Sequence, residues 1–311
     1  MGLYVLRRLV SAVPVFVGIA TIVFLVLQVL PGDPVAMMLG FSVTAEATAR
    51  LRAELGLDDP LWVQYVRYWR NLARGDLGRS MSMDVPVAQA LWAQFPATLQ
   101  LTVAGMGCAI VLGMLLGVLA AVRHHTWWDT ATMTVALAGV SIPSFWLGLL
   151  LILAFAVHLN WFPITGQGGW ERLVLPAVAV GLRAAGLLAR LTRSSVLEVL
   201  RDDYVTTARA KGAPERRVIF HHVLRNALIP VVTVAGLQFG QLMSGAVIIE
   251  SVFAREGLGR LIVYGIMQRD ILLVQGAALF LATTYVLVNL AVDLSYAVLD
   301  PRIRLGAEAA R

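Results

Sequence analysis

Five stretches of this chain, 9–30, 97–122, 130–157, 227–249 and 271–292, each run for at least 22 residues without a charged side chain, and a sixth, 173–191, is apolar except for Arg183 and Arg190. At a rise of ~1.5 Å per residue, such a helix reaches about 30 Å, the hydrocarbon thickness of a bilayer. A soluble core of this size has no place for six such runs. With 59% apolar and 14% charged residues and a mean hydropathy of +0.76, the chain reads as an all-α integral membrane protein with six transmembrane helices.

The first run follows Arg7 and Arg8 and ends in Pro31, Gly32, Asp33 and Pro34. A cleaved signal peptide has a shorter apolar core and a small-residue cleavage site, so this run is expected to remain as a transmembrane helix. The formal charge of +6 does not point to nucleic acid, because the basic residues fall between apolar runs rather than along one soluble face. Cys108 is the only cysteine and lies inside an apolar run, which excludes an internal disulfide and gives the thiol the role of a small hydrophobe.

Lys and Arg near span ends stay on the cytoplasmic side. The loop 192–226 carries seven basic residues, Arg193, Arg201, Arg209, Lys211, Arg216, Arg217 and Arg225, against four acids, Glu198, Asp202, Asp203 and Glu215. It is expected in the cytoplasm. Segment 31–96 has six basic residues against seven acids and is expected outside. Six spans then return the tail, with Arg302, Arg304 and Arg311, to the cytoplasm, so both termini face in. The resulting division is an N-terminal transmembrane helix over 1–30, an external helical cap over 31–96, a core of five transmembrane helices over 97–300 and a tail over 301–311. Within the cap, Thr44 suits the start of a helix over 45–55 ended by Gly56, and Pro60 suits the first turn of a second helix reaching about Ala73. The spacing of Leu61, Tyr65 and Tyr68 gives that second helix an apolar face to pack on the membrane helices.

The loop 192–226 also contains the most informative local pattern. Tyr204, Thr207, Ala208, Ala210, Lys211 and Gly212 are followed by Pro214, Glu215, Arg216 and Arg217. This reads as helix, glycine turn, helix, with Gly212 at a left-handed position beyond the first helix and Pro214 in the first turn of the second. Small side chains at Ala208 and Ala210 leave room for a partner surface. Lys211 is the sole lysine, but it follows Ala210 and precedes Gly212, so it does not belong to a phosphate-cradling glycine loop. ATP hydrolysis is therefore expected on another chain, and this one is not expected to be an enzyme. Gly113 and Gly117, four residues apart, read as a close helix-packing face.

This pattern resembles the Glu-Ala-Ala loop of ABC importer permeases. Thr206, Thr207 and Ala208 stand at its Glu-Ala-Ala positions and Gly212 at its glycine, while His222, Leu224 and Arg225 stand where that loop has Ile, Leu and Pro. The departures fit the dipeptide, oligopeptide and nickel branch of the family, whose version of the loop is similar to Thr-Ala-Arg-Ala-Lys-Gly at 207–212 and Leu-Arg-Asn-Ala-Leu-Ile-Pro at 224–230. Stretches 30–34, 55–60, 75–80, 140–147, 257–260 and 300–304 share the resemblance. It implies a type I ABC importer permease fold in the plasma (inner) membrane, and a loop that couples transport to a cytoplasmic ATPase. The coupling residues it implies are Tyr204, Thr207, Ala208, Ala210, Lys211, Gly212, Glu215 and Arg216, with Ala208, Ala210 and Gly212 as the contact. It further implies a second homologous permease, two ATP-binding subunits holding ATP and Mg, and an extracytoplasmic substrate-binding protein. The cargo it implies is a peptide or related small solute, with nickel and glutathione as alternatives.

Arg183 and Asp293 are the charges placed within or near spans. A charge at membrane depth faces a cavity or a partner, so each is a candidate for the translocation path, or else a structural charge near the cytoplasmic end. His124, His125, His158, His221 and His222 form no metal-ligand spacing, and no metal site is expected. Two other classes compete: an intramembrane enzyme, which would need a His-Glu-x-x-His, a Gly-x-Ser-x-Gly or paired histidine and serine that the chain lacks, and a secondary transporter, which the absence of an internal repeat disfavours.

Overall fold

The computed structural model describes residues 2–29, 52 and 58–299, with the side chains of 2–8, 27, 29 and 293–299 outside the description. Apart from residue 52, the helix expected over 45–55 lies outside the described residues, as does the basic tail. Elements follow in the order α1 (Gly2–Val29), α2 (Leu61–Ala73), β1 (Arg79–Ser80), β2 (Val85–Pro86), α3 (Val87–Val122), α4 (Trp127–Ser141), α5 (Ser144–His158), α6 (Glu171–Val199), α7 (Asp203–Ala210), α8 (Glu215–Val252), α9 (Leu258–Met267) and α10 (Ile271–Leu299). Among the described residues, α1, α3, α6, α8 and α10 are each long and apolar enough to cross a membrane, and α4 with α5 form a pair bent by 109°. Counting that pair as one broken span gives six.

The break corrects the reading of 130–157 as one continuous helix. Pro143 has no N–H to donate and forces the residue before it out of helical geometry, so Ile142 takes φ −79° and ψ 126° and α4 ends. Further on, the helix widens to a π-helical stretch at Ile152–His158, and α8 does the same at Val218–Val223.

The chain divides into two compact units. The first comprises Met1–Pro96 and Gly257–Leu290. In it, Pro60 occupies the N-cap position of α2, one residue ahead of the expected first turn. Tyr65 and Tyr68 pack on Phe24 and Trp69 packs on Phe16, while Tyr65 Oη shares a 2.7 Å hydrogen bond with Thr21 Oγ1. The aromatic face thus lies on α1 as expected, except that Leu61 is exposed and Trp69 takes its place. Elsewhere in this unit Val87, Leu91, Leu258, Leu261, Leu273 and Ala277 form a buried apolar cluster.

Beside that cluster, the short antiparallel ribbon β1–β2 is held by buried Asp270, which ends α9's connection and caps α10. Its carboxylate accepts hydrogen bonds from Ser80 Oγ (2.7 Å), Ser82 N (3.0 Å), Ser82 Oγ (2.8 Å) and Leu273 N (3.1 Å). Burial pushes this carboxyl up, but the four donors outweigh it and hold it below the usual carboxylate range. Asp270→Ala is expected to cost about 2 kcal/mol, the loss of a helix cap together with the side-chain bonds. Thermal unfolding in mild detergent checks this. Because the folded carboxyl lies below its unfolded value, its stabilisation is present above the ordinary carboxylate range and fades as pH falls through the depressed value. The wild type should lose more melting temperature on that acid limb than the variant does.

The second unit comprises Ala97–Glu256 and Ala291–Arg311. Its centre is α6, which contacts α4, α5 and α8 and contributes Leu175, Ala179, Ala184, Ala185 and Leu188 to the main buried cluster. The Gly113 and Gly117 face packs against it as the spacing predicts. A Cβ on Gly117 would sit 2.5 Å from Ala189 O, and one on Gly113 2.7 Å from Leu188 Cβ, so any larger residue forces α3 and α6 apart.

At the start of α4, Asp129 is buried and clasps α6. Arg193 donates to it through Nε (2.7 Å to Oδ1) and Nη2 (2.8 Å to Oδ2), and His125 N adds a third hydrogen bond at 3.2 Å.

Candidate functional site: a rigid elbow between two membrane helices

The connection between α6 and α8 forms a fixed elbow. α7 runs from Asp203 to Ala210, and Gly212 follows at φ +78°, the left-handed conformation that a side chain disfavours. Gly212 N donates to Arg209 O (2.9 Å) and Ala213 N to Ala208 O (3.2 Å). This pair of crossed bonds is the Schellman closure of a helix, which satisfies two carbonyls left without helical partners. Pro214 then leads into α8 with its N–H requirement removed. A Cβ at Gly212 would meet nothing within 4 Å, so conformation rather than space selects glycine here.

Packing fixes where the elbow stands. Val205 is fully buried and joins Ala121 of α3, Val196 of α6 and Val218, Ile219, Val223 and Ala227 of α8 in one apolar cluster, with Ala208 and Ala213 against it. The hydrophobic contact across the turn therefore ties the elbow to three membrane helices at once. Tyr204 adds a polar tie: its hydroxyl accepts from Asn226 Nδ2 (2.8 Å) and donates to His222 O (3.2 Å). Across the turn, Arg209 grips Glu215 with Nη2 to Oε1 at 2.6 Å and Nε to Oε2 at 3.1 Å. That pair is exposed and contributes little stability.

Of the residues that the sequence points to, the structure brings Tyr204, Thr207, Ala208, Lys211 and Gly212 to one open groove of about 610 Å³, shared with Pro214 and Arg217. Ala210, Lys211 and Gly212 are exposed, whereas Ala208 is half-buried against the apolar cluster. Glu215 is turned toward Arg209, and Arg216 is exposed outside the groove. Two residues escaped the sequence reading. Val205 was hidden because one valine in a polar loop shows no period, yet it is the anchor. Phe220 stands 64% exposed on the π-helical stretch, and an aromatic ring between Arg217 and His221 was the available signal.

Arg183 is exposed on α6, with no ion pair among the described residues. Asp293 falls in the last two turns of α10, where side chains are outside the description. The structure does not bring these two together. Among the described residues no three His, Cys, Asp or Glu side chains group as a metal site.

Long apolar helices joined by a rigid elbow define a polytopic membrane protein. The family described as binding-protein-dependent transport system inner membrane component matches residues 113–305, and its N-terminal companion matches 1–102. Among curated relatives, a protein of Brucella abortus (strain 2308) named a peptide transport system permease is 44% identical over 312 residues, covering 98% of this chain and 99% of that one. The glutathione transport system permease GsiC of Salmonella paratyphi A is 44% identical over 301 residues, covering 97% and 98%. In fold, the chain is similar to the inward-facing MetNI methionine ABC transporter, with a TM-score of 0.57 and 21% identity over 68% of this chain and 97% of that one. An amino acid ABC transporter gives a TM-score of 0.51 at 13% identity, over 69% and 94%. The chain belongs to the binding-protein-dependent inner membrane component family and is a multi-pass permease subunit of an ABC importer. Members of this family work with ATPase and substrate-binding partners.

Proposed function

We propose that this permease forms the translocation path for peptides or a related small solute such as glutathione, and that the elbow of α7, Gly212 and the start of α8 couples it to ATP hydrolysis. The observation that carries this reading is the attachment of the elbow to α3, α6 and α8 through Val205, Ala208 and Ala213. A push on the exposed Ala210, Lys211 and Gly212 cannot be absorbed by a floppy loop, because the Schellman closure holds the turn and the buried contacts of Val205 hold α7. The displacement passes instead to three membrane helices. The chain itself holds no cofactor; ATP and Mg reside on two ATP-binding subunits under the elbow. A second homologous permease completes the path, and an extracytoplasmic substrate-binding protein delivers cargo. The seat is the plasma (inner) membrane, with the elbow and both termini cytoplasmic and 31–96 outside. Cargo of this class is favoured by the names of relatives at 44% identity over nearly their whole length.

Two measurements test this. Reporters fused after Gly56 and after Arg209 are expected on opposite sides, the first outside and the second inside; the reverse would sink the orientation. The tagged chain, extracted in mild detergent, should carry a second permease and ATP-binding subunits and hydrolyse ATP only while they remain bound. Hydrolysis by the isolated chain would overturn the division of labour.

A further inference from the structure

Helix α6 is the most enclosed of the spans: 61% of its apolar window is buried, against 11–33% in the other unbroken ones. Past Gly181, however, one stripe stays open. Arg183, Arg190, Ser194 and Glu198 are exposed, with half-buried Leu187 between them, at helical spacings that put them on a single face. The neighbouring faces are taken. Gly181 meets the α3 backbone at Gly105, and Leu182 and Gly186 meet α4 at Gly139 and Ala136. An open stripe on an otherwise enclosed membrane helix is ordinarily apolar; this one carries Arg183 and Arg190, with Glu198 at its far end.

The Asp129–Arg193 clasp sets its level. Arg193 pairs at the polar start of α4, and Arg183 lies ten residues before it, about 15 Å along the helix. Glu171, at the other end of α6, is twelve residues away, about 18 Å. Arg183 therefore sits near the middle of the span, beyond the distance over which a guanidinium can snorkel to either surface. A fixed charge there requires water or a counter-charge. Among the described residues, no carboxylate pairs with it.

We propose that Arg183 lines the solute path and receives a carboxylate of the cargo in transit, with Arg190, two turns toward the Arg193 end, as the next station. This rests on the reading of the chain as the path for a peptide-like solute. A planar guanidinium matches a carboxylate in two parallel, charge-assisted hydrogen bonds, and a peptide C-terminus supplies that group in every sequence it carries. Arg183 thus contributes a recognition that is blind to side chains, suited to a path for peptides of varied sequence.

The test uses the complete importer in proteoliposomes, with its substrate-binding protein. Short peptides and glutathione are screened, and the probe is one whose free acid and C-terminal amide both load the binding protein. In Arg183→Gln, the maximal uptake rate of the free acid should fall about tenfold, the worth of a charge-assisted pair, while the amide is unchanged. Arg183→Lys should recover part of the rate. Subunit retention should stay at wild-type levels, because Arg183 lies outside the elbow. Equal loss for acid and amide overturns the carboxylate contact while leaving the path reading intact. Loss of the second permease from Arg183→Gln on purification assigns the charge to a subunit contact and also overturns it. Uptake of none of the screened solutes by the wild type overturns the cargo reading itself.

Discussion

Ala210→Trp is expected to strip the ATP-binding subunits from the purified complex while the second permease stays bound. Ala210 is exposed at the end of α7, immediately before the turn, so an indole there meets no residue of this chain that would unfold it. It does fill the space in which a partner surface must approach the elbow. ATP-driven uptake should fall below detection, a loss larger than any folding effect at an exposed helix position, which stays within roughly 0.5 kcal/mol. Retention of the ATP-binding subunits at wild-type levels would remove the elbow from the docking surface. Gly212 provides the matching control on geometry. Gly212→Pro cannot adopt φ +78° and loses the N–H donated to Arg209 O, so it opens the elbow without adding bulk. Membrane abundance should be preserved while uptake is lost, and normal uptake from an inserted, assembled variant would sink the coupling role.

The second large effect is expected at the clasp between α4 and α6. Arg193→Ala leaves the Asp129 carboxylate buried with the His125 N–H and with His124 Nδ1 at 3.7 Å, in place of a bidentate guanidinium. Removing one partner of such a pair should destabilise the protein by about 2 kcal/mol, because the remaining carboxylate keeps one hydrogen bond in place of three. The double variant Arg193→Ala with Asp129→Ala should recover part of this loss, since no orphan charge then remains. The readout is the temperature at which Cys108, the only thiol, becomes reactive to a fluorescent maleimide in detergent. If both single variants melt with the wild type, the clasp carries no stability.

The elbow was readable in the sequence because its determinants are local. Gly212 and Pro214 act on their own backbone dihedrals, and the small side chains beside them lie within a few residues. The close face at Gly113 and Gly117 was readable for the same reason: a spacing of four defines it, whatever it meets. The break at Pro143 was present in the sequence but not decided there, since a proline within an apolar run can kink a helix or end it, and surrounding packing selects. Charge pairing was less accessible still. Asp129 and Arg193 are 64 residues apart, and Asp270 reaches Ser80 across 190.

The sequence by itself determined that the chain lives in a membrane, how many apolar spans it has, and that a rigid turn joins two of them. These follow from the backbone's need to satisfy every N–H and C=O within long helices where no water is available, and from the few residues that can take a left-handed turn. Only the tertiary structure decided which charges neutralise one another, that Val205 anchors the elbow, and that Arg183 stands exposed on α6. Those outcomes depend on which helix faces are covered and at what height, and periodicity within one helix carries no information about either.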